Sequence, residues 1–281
     1  MMSDLPADEP EEQSAETLPP SVSVFLQRLY RDPRYLLIDK VERFGRERIA
    51  FIEACTIIST TGEVRGQALL TREYERTGRP DGEHPYGEES LVDFHLRARP
   101  GESLALSEDE LAALREESWQ YYVRRCFDFL LGDYYQARED AEHNLGIWNL
   151  IARCNASEAS KWSYLKWWPW IERDRAVAQA LWDLEHDLPE HAATELYRCQ
   201  RSIEQFGQEE AAQYAADEGD NQQLPTHMRQ HVAALVELLR RDKDLLISLE
   251  ERFDQASARG DQAEMDRLRA EMIRRAVDEG E

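Results

Sequence analysis

The chain has 281 residues, with 34 Lys and Arg against 57 Asp and Glu for a formal net charge of -23, and 42% of its residues are apolar. That is enough apolar material for a folded core, so the composition excludes a disordered chain. The negative charge disfavours non-specific binding to nucleic-acid backbones or anionic membranes. No apolar run approaches the roughly 18 residues a membrane helix requires, and the N-terminus lacks a basic segment followed by an apolar one. A cytoplasmic protein without membrane association is therefore expected.

Residues 1–20 carry six acids, four prolines and no Lys or Arg, and read as a disordered acidic tail. Ser21 precedes Val22, Phe25, Leu26 and Leu29 at helical spacing, and Asp32-Pro33 stops that helix. Tyr35 to Arg43, Arg48 to Ile58 and Val64 to Tyr74 are rich in β-branched and aromatic residues. Phe44-Gly45-Arg46 and Thr61-Gly62-Glu63 punctuate them, so three antiparallel strands are expected. The next segment, Gly78 to Gly87, holds three glycines and two prolines and demands tight turns. Residues 21–100 thus form a small α+β region. Arg79, Asp81 and His84 in the turn-rich loop, with His95 beyond it, are a candidate ligand contact, weighed against a structural cap for the sheet.

From the capping box Ser107-x-x-Glu110 onward the chain reads as helix, with breaks near Gly132, Asn155 to Ser157, Pro169, Pro189, Gly207, Asp217 to Pro225 and Gly260. The fold class expected is mainly α with a small N-terminal antiparallel sheet. In residues 101–216 two stretches follow one plan: a turn at Gly132 with Ala137 five residues on, and a turn at Asp187 with Ala192 five residues on. They resemble the inter-helix turn of a tetratricopeptide repeat. Trp162, Trp167, Trp168 and Trp170 lie between the two units, either as an aromatic surface for a ligand or as packing for an irregular connection.

In residues 226–281, Leu235, Leu239, Leu246, Leu249, Phe253 and Ala256 fall at alternating three- and four-residue steps, with Asp242 at the one polar position of the seam. Arg259-Gly260-Asp261 interrupts the stripe, and Met265, Leu268, Met272 and Ala276 resume it, which predicts an antiparallel helical hairpin. Leu249, Phe253, Ala256, Asp261, Ala263, Leu268-Arg269 and Met272 resemble the UVR motif, a helical hairpin shared by subunits of bacterial nucleotide-excision repair and by regulatory proteins. Gly78 to Gly82, Leu131 to Tyr134 and Asp140 to Leu145 extend the likeness to a group of bacterial proteins that carry this hairpin at their C-terminus. The resemblance implies an architecture and a role in protein association, with Leu246, Leu249, Phe253, Leu268, Arg269 and Met272 as partner-binding residues.

Asp140-x-x-His143 and Asp183-x-x-His186 each place a carboxylate and an imidazole on one helix face, as in helical di-metal centres. His227 and His231 lack the glutamate of a zincin, since Met228 follows the first histidine. No phosphate-cradle or nucleophile-elbow motif occurs. Cys55, Cys126, Cys154 and Cys199 are scattered and read as small buried hydrophobes. The expectation is a non-enzymatic adaptor or scaffold without a cofactor, which docks protein partners through the C-terminal hairpin and the helical body. Homo-oligomerisation through the hairpin belongs to the same class. The alternatives are a helical metalloenzyme built on the paired DxxH motifs and a DNA-repair accessory protein.

Overall fold

The computed structural model describes residues 18–43, 45–58, 64–98, 104–217, 219–242 and 247–278. The acidic tail up to residue 17, the expected turn at Thr61 to Glu63 and Leu246 lie outside them. The fold is mainly α-helical with a small three-stranded antiparallel sheet near the N-terminus.

Helix α1 (Pro20–Tyr30) starts on a proline and buries Val22, Leu26 and Tyr30, one residue per turn. The sheet follows in the order β1 (Tyr35–Arg43), β2 (Arg46–Ile58) and β3 (Val64–Glu75). Gly45, at φ 72°, supplies the left-handed backbone of the β1–β2 turn. Alternation along the strands sends Tyr35, Ile49, Phe51 and Tyr74 to one face, where they meet Val123 and Phe127. Those two residues belong to helix α3 (Glu108–Leu131), so the sheet lies on the flank of the helical body.

Helix α2 (Leu91–Ala98) leads into α3, whose Ser107–Glu110 capping box is complete. Next come α4 (Tyr134–Arg153), α5 (Glu158–Leu165), α6 (Trp168–Glu185), α7 (Pro189–Glu209), α8 (Ala211–Ala216) and α9 (Leu224–Asp242). Helix α4 packs between α3 and α6, α7 packs on α6, and α9 closes against both α6 and α7. Prolines open α6 and α7, where a missing N–H costs nothing.

The two expected turns share their geometry. Gly132 at φ 74° ends α3, and the Asp133 amide donates to the Asp128 carbonyl at 2.8 Å. Asp187 at φ 58° follows α6, and the Leu188 amide donates to the Asp183 carbonyl at 2.9 Å. Both are left-handed helix ends with a six-residue loop-back bond. Ala137 and Ala192, five residues past each, are fully buried where the paired helices approach.

Two expected boundaries differ. Helix α7 runs through Gly207, because this glycine serves close packing: a Cβ there would sit 2.9 Å from the Pro225 Cβ of α9. The apolar stripe of residues 226–281 is also divided. Leu235 and Leu239 are fully buried in the main core as part of α9, whereas the hairpin proper is α10 (Leu249–Arg259) and α11 (Gln262–Asp278). Gly260 at φ 68° joins its two helices. Among the described residues no helix is long and apolar enough to cross a membrane.

Candidate functional site

The turn loop is a structural clasp. Gly78, Gly82 and Gly87 all take positive φ, and the Glu75 amide donates to the Pro80 carbonyl at 2.8 Å. The Arg79 guanidinium is drawn down to Asp81 at 3.0 Å and to the buried Glu117 of α3 at 3.4 Å. Glu117 also accepts from the Leu91 amide at 2.9 Å and meets His143 Nε2 at 3.0 Å, while the Tyr121 ring stacks on that imidazole at 3.7 Å. Arg76 binds Asp128 at 2.6 Å and pairs with Asp133. Burial and the nearby Asp140 push the Asp128 carboxyl well above the usual range, against the pull of Arg76. His84 remains exposed at the rim of a shallow cleft shared with Arg46, Arg76 and Glu89. Of the three residues singled out in this loop, Arg79 therefore ties the loop to α3 through Glu117, while Asp81 and His84 are both exposed.

The DxxH pairs have other partners. Asp140 is held by a buried two-pronged bond from Arg124, at 2.6 and 2.8 Å, with a third donor from Gln136 at 3.0 Å. Its sequence neighbour His143 belongs to Glu117. Asp183 accepts from Gln179 at 2.7 Å, and His186 Nδ1 lies 2.7 Å from the Trp182 carbonyl. Among the described residues no three His, Cys, Asp or Glu side chains converge as a metal site.

A second buried charge cluster escaped the sequence analysis. The Asp174 carboxylate accepts from the Tyr30 hydroxyl at 2.9 Å, from Arg125 at 2.9 Å and from Arg173 at 2.5 Å, and all four residues are buried. Arg173 reaches on to His231 Nδ1 of α9 at 3.0 Å. Burial, Arg173 and His227 lower the His231 pKa. This cluster joins α1, α3, α6 and α9 in one place. The only sequence trace of it is charge at helical positions flanked by core residues, as in Val123-Arg124-Arg125-Cys126.

Trp162, Trp167, Trp168 and Trp170 pack on the main core. Trp168 contacts Phe206 with ring centroids 4.7 Å apart, Trp162 contacts Tyr214 at 5.0 Å, and Trp167 and Trp170 meet each other at 6.2 Å. Here the aromatic-rich insert joins α5 and α6 to α7 and α8. Cys126, Cys154 and Cys199 are buried, and burial pushes the Cys126 thiol up to about 12.

The remaining candidate is the hairpin. Its own interior is closed by Ala256 and Leu268, both fully buried, so Leu268 is not a surface residue. Its attachment to the body is polar: Tyr197 donates to Asp254 at 2.6 Å, Arg198 pairs with Glu250 and Arg240 with Glu251, each at 2.5 Å, and Arg201 pairs with Asp254. Leu249, Phe253, Arg269 and Met272 turn instead toward an open cleft of about 790 Å3 between the hairpin and helices α6 and α7. Ile247 and Ile273, 45% and 60% exposed, line the same cleft. Both are residues the periodicity did not single out, because Ile247 precedes α10 and Ile273 adjoins Met272 off the regular stripe. The Arg269 guanidinium covers the Phe253 ring at 5.6 Å.

No family model matches this chain, and neither the curated proteins nor the solved structures contain a match to it.

Proposed function

We propose that the protein is a non-enzymatic interaction module whose C-terminal hairpin is a docking arm. One observation carries this reading: the hairpin is fixed to the body by polar bridges, yet its large apolar side chains line an open cleft. Burial in the body core would have been the alternative use of the stripe, and α9 takes that course with Leu235 and Leu239. Apolar surface gathered in a concave site with a polar surround is the usual form of a protein-binding groove. The resemblance of Leu249, Phe253, Leu268-Arg269 and Met272 to the UVR hairpin points the same way, since that motif serves protein association.

The test is a Leu249→Asp/Phe253→Asp variant of the full chain, compared with the unaltered chain by thermal melting and by affinity purification from the native host. The expected result is an unchanged cooperative melt of the body with loss of the co-purifying protein. Unfolding throughout would make the hairpin part of the core, and unaltered fold, mass and partners would mean that the stripe is no interface. Both results overturn the reading.

A further inference from the structure

We infer that the free edge of the sheet is a self-association surface, on which strand β3 pairs antiparallel with β3 of a second copy of this chain. The contact is separate from the docking arm. The two edges of the sheet are built differently. Along β1 the register slips between Leu36 and Asp39, with Leu37 at φ 48°, and a bulge of this kind twists an edge away from further pairing. Strand β3 pairs with β2 in one register from Glu75 opposite Arg48 to Gly66 opposite Ile57. It carries no proline or lysine, the residues that commonly blunt an edge.

Two bonds at the end of β3 show which of its residues face outward. The Glu75 amide donates to the Pro80 carbonyl at 2.8 Å, away from β2, and the Arg76 amide donates to the Glu47 carbonyl of β2 at 3.3 Å. Antiparallel pairing alternates the two directions, so Gln67, Leu69, Thr71 and Glu73 aim their N–H and C=O groups away from β2. Among the described residues no strand pairs with that edge. A bare ladder of this kind takes an extended strand, which brings donors and acceptors in the matching alternation.

A second copy supplies the strand that fits. With the two-fold axis at Leu70, the middle of the free stretch, Leu69 faces Thr71 of the second copy and Gln67 faces Glu73, so every outward residue gains a partner. Arg72 falls opposite Ala68, and no charge meets its like. Leu70, 42% exposed, meets its own counterpart, and Leu69, 65% exposed, comes to one face of the joined sheet in both copies. From Tyr35 to Arg76 seven acids stand against seven Lys and Arg, whereas the whole chain carries -23. The sheet therefore lets two copies meet without the repulsion that the rest of the chain would exert.

The test compares the full chain with its Thr71→Pro and Leu69→Lys variants by sedimentation equilibrium, in a concentration series up to about 0.1 mM, where even a weak dimer is populated. Thr71→Pro removes one outward N–H and leaves the bonds to β2 in place, a change that an edge strand tolerates. Leu69→Lys puts a cation on each side of the two-fold axis at a position already exposed. The unaltered chain is expected to move toward the mass of two chains as concentration rises. Each variant should raise the dissociation constant at least about tenfold and keep the melting temperature. If Thr71→Pro lowers the melt, Leu69→Lys decides alone. A single-chain mass throughout the series, or a two-chain mass that survives Leu69→Lys, overturns the inference. A two-chain mass lost in Leu249→Asp/Phe253→Asp and kept in both edge variants overturns it as well, because the contact then lies at the hairpin.

Discussion

A left-handed backbone position costs a residue with a Cβ roughly 1 kcal/mol, and the two inter-helix turns treat that cost differently. Gly132 takes φ 74° freely, and Asp187 takes φ 58° in the equivalent place. Since nothing lies within 4 Å of a Cβ built on Gly132, Gly132→Val should lose about 1–2 kcal/mol from the backbone alone. Asp187→Gly should gain up to about 1 kcal/mol, and opposite shifts in the midpoint of urea unfolding would check the pair. Asp140 makes a harder demand. With Arg124 fully enclosed and held by its carboxylate, Asp140→Ala strands a buried cation and should cost about 3–5 kcal/mol. A loss under about 1 kcal/mol would show that the guanidinium escapes to solvent.

His231 connects residue chemistry to pH. Its Nδ1 faces the Arg173 guanidinium, so the neutral ring accepts that bond and the protonated ring repels the arginine. The folded-state pKa is lowered below the ordinary histidine value, chiefly by burial and then by Arg173 and His227. A lowered histidine pKa contributes stability that is present above the unfolded pKa of about 6.5 and is lost as pH falls below it. His231→Gln keeps an acceptor without the titration. The fall in melting temperature between neutral and mildly acidic pH should therefore be smaller in that variant than in the unaltered chain, and an identical fall would remove His231 from the account.

At the scale of elements, the local signals were legible and the contacts between distant segments were not. Val22, Phe25, Leu26 and Leu29 mark α1 by period, Gly45 marks the first hairpin turn, and Ser107 with Glu110 fixes the start of α3 to the residue. The division between α9 and α10 was hidden, because Leu235, Leu239, Leu249 and Phe253 keep a helical rhythm across it. What separates the helices is Ser248, whose hydroxyl accepts from the Glu251 amide at 3.1 Å to start α10, and Ser-x-x-Glu at 248–251 is a readable sign of that. The cleft had no such sign, because residues of α6 and α7 come to face Phe253 and Met272 only when the hairpin folds back over them. The polar mounting has an energetic consequence. Arg198 and Arg201 are both 61% exposed, and exposed ion pairs contribute about 0–1 kcal/mol each after solvent screening. A chain ending at Asp242 should therefore melt cooperatively with a loss of no more than about 3 kcal/mol. A chain that no longer folds would place the hairpin inside the cooperative unit.

For the whole molecule, the distribution of charge decides between partner classes. A protein gains affinity for duplex DNA by neutralising phosphates with uncommitted cations and releasing the counterions held there. In the C-terminal region five arginines are held in ion pairs: Arg201 to Asp254, Arg229 to Glu204, Arg240 to Glu251, Arg252 to Glu264 and Arg267 to Glu264, all within 3.4 Å. Approach to a phosphate would have to break these pairs and bring a body of net charge -23 against a polyanion. No anisotropy change is therefore expected with a labelled random duplex at an ionic strength of about 0.15 M, where the screening length is about 8 Å. Saturable binding with a steep inverse dependence on salt would instead reveal a basic face unmasked in solution, and would move the hairpin from a protein groove to a nucleic-acid surface.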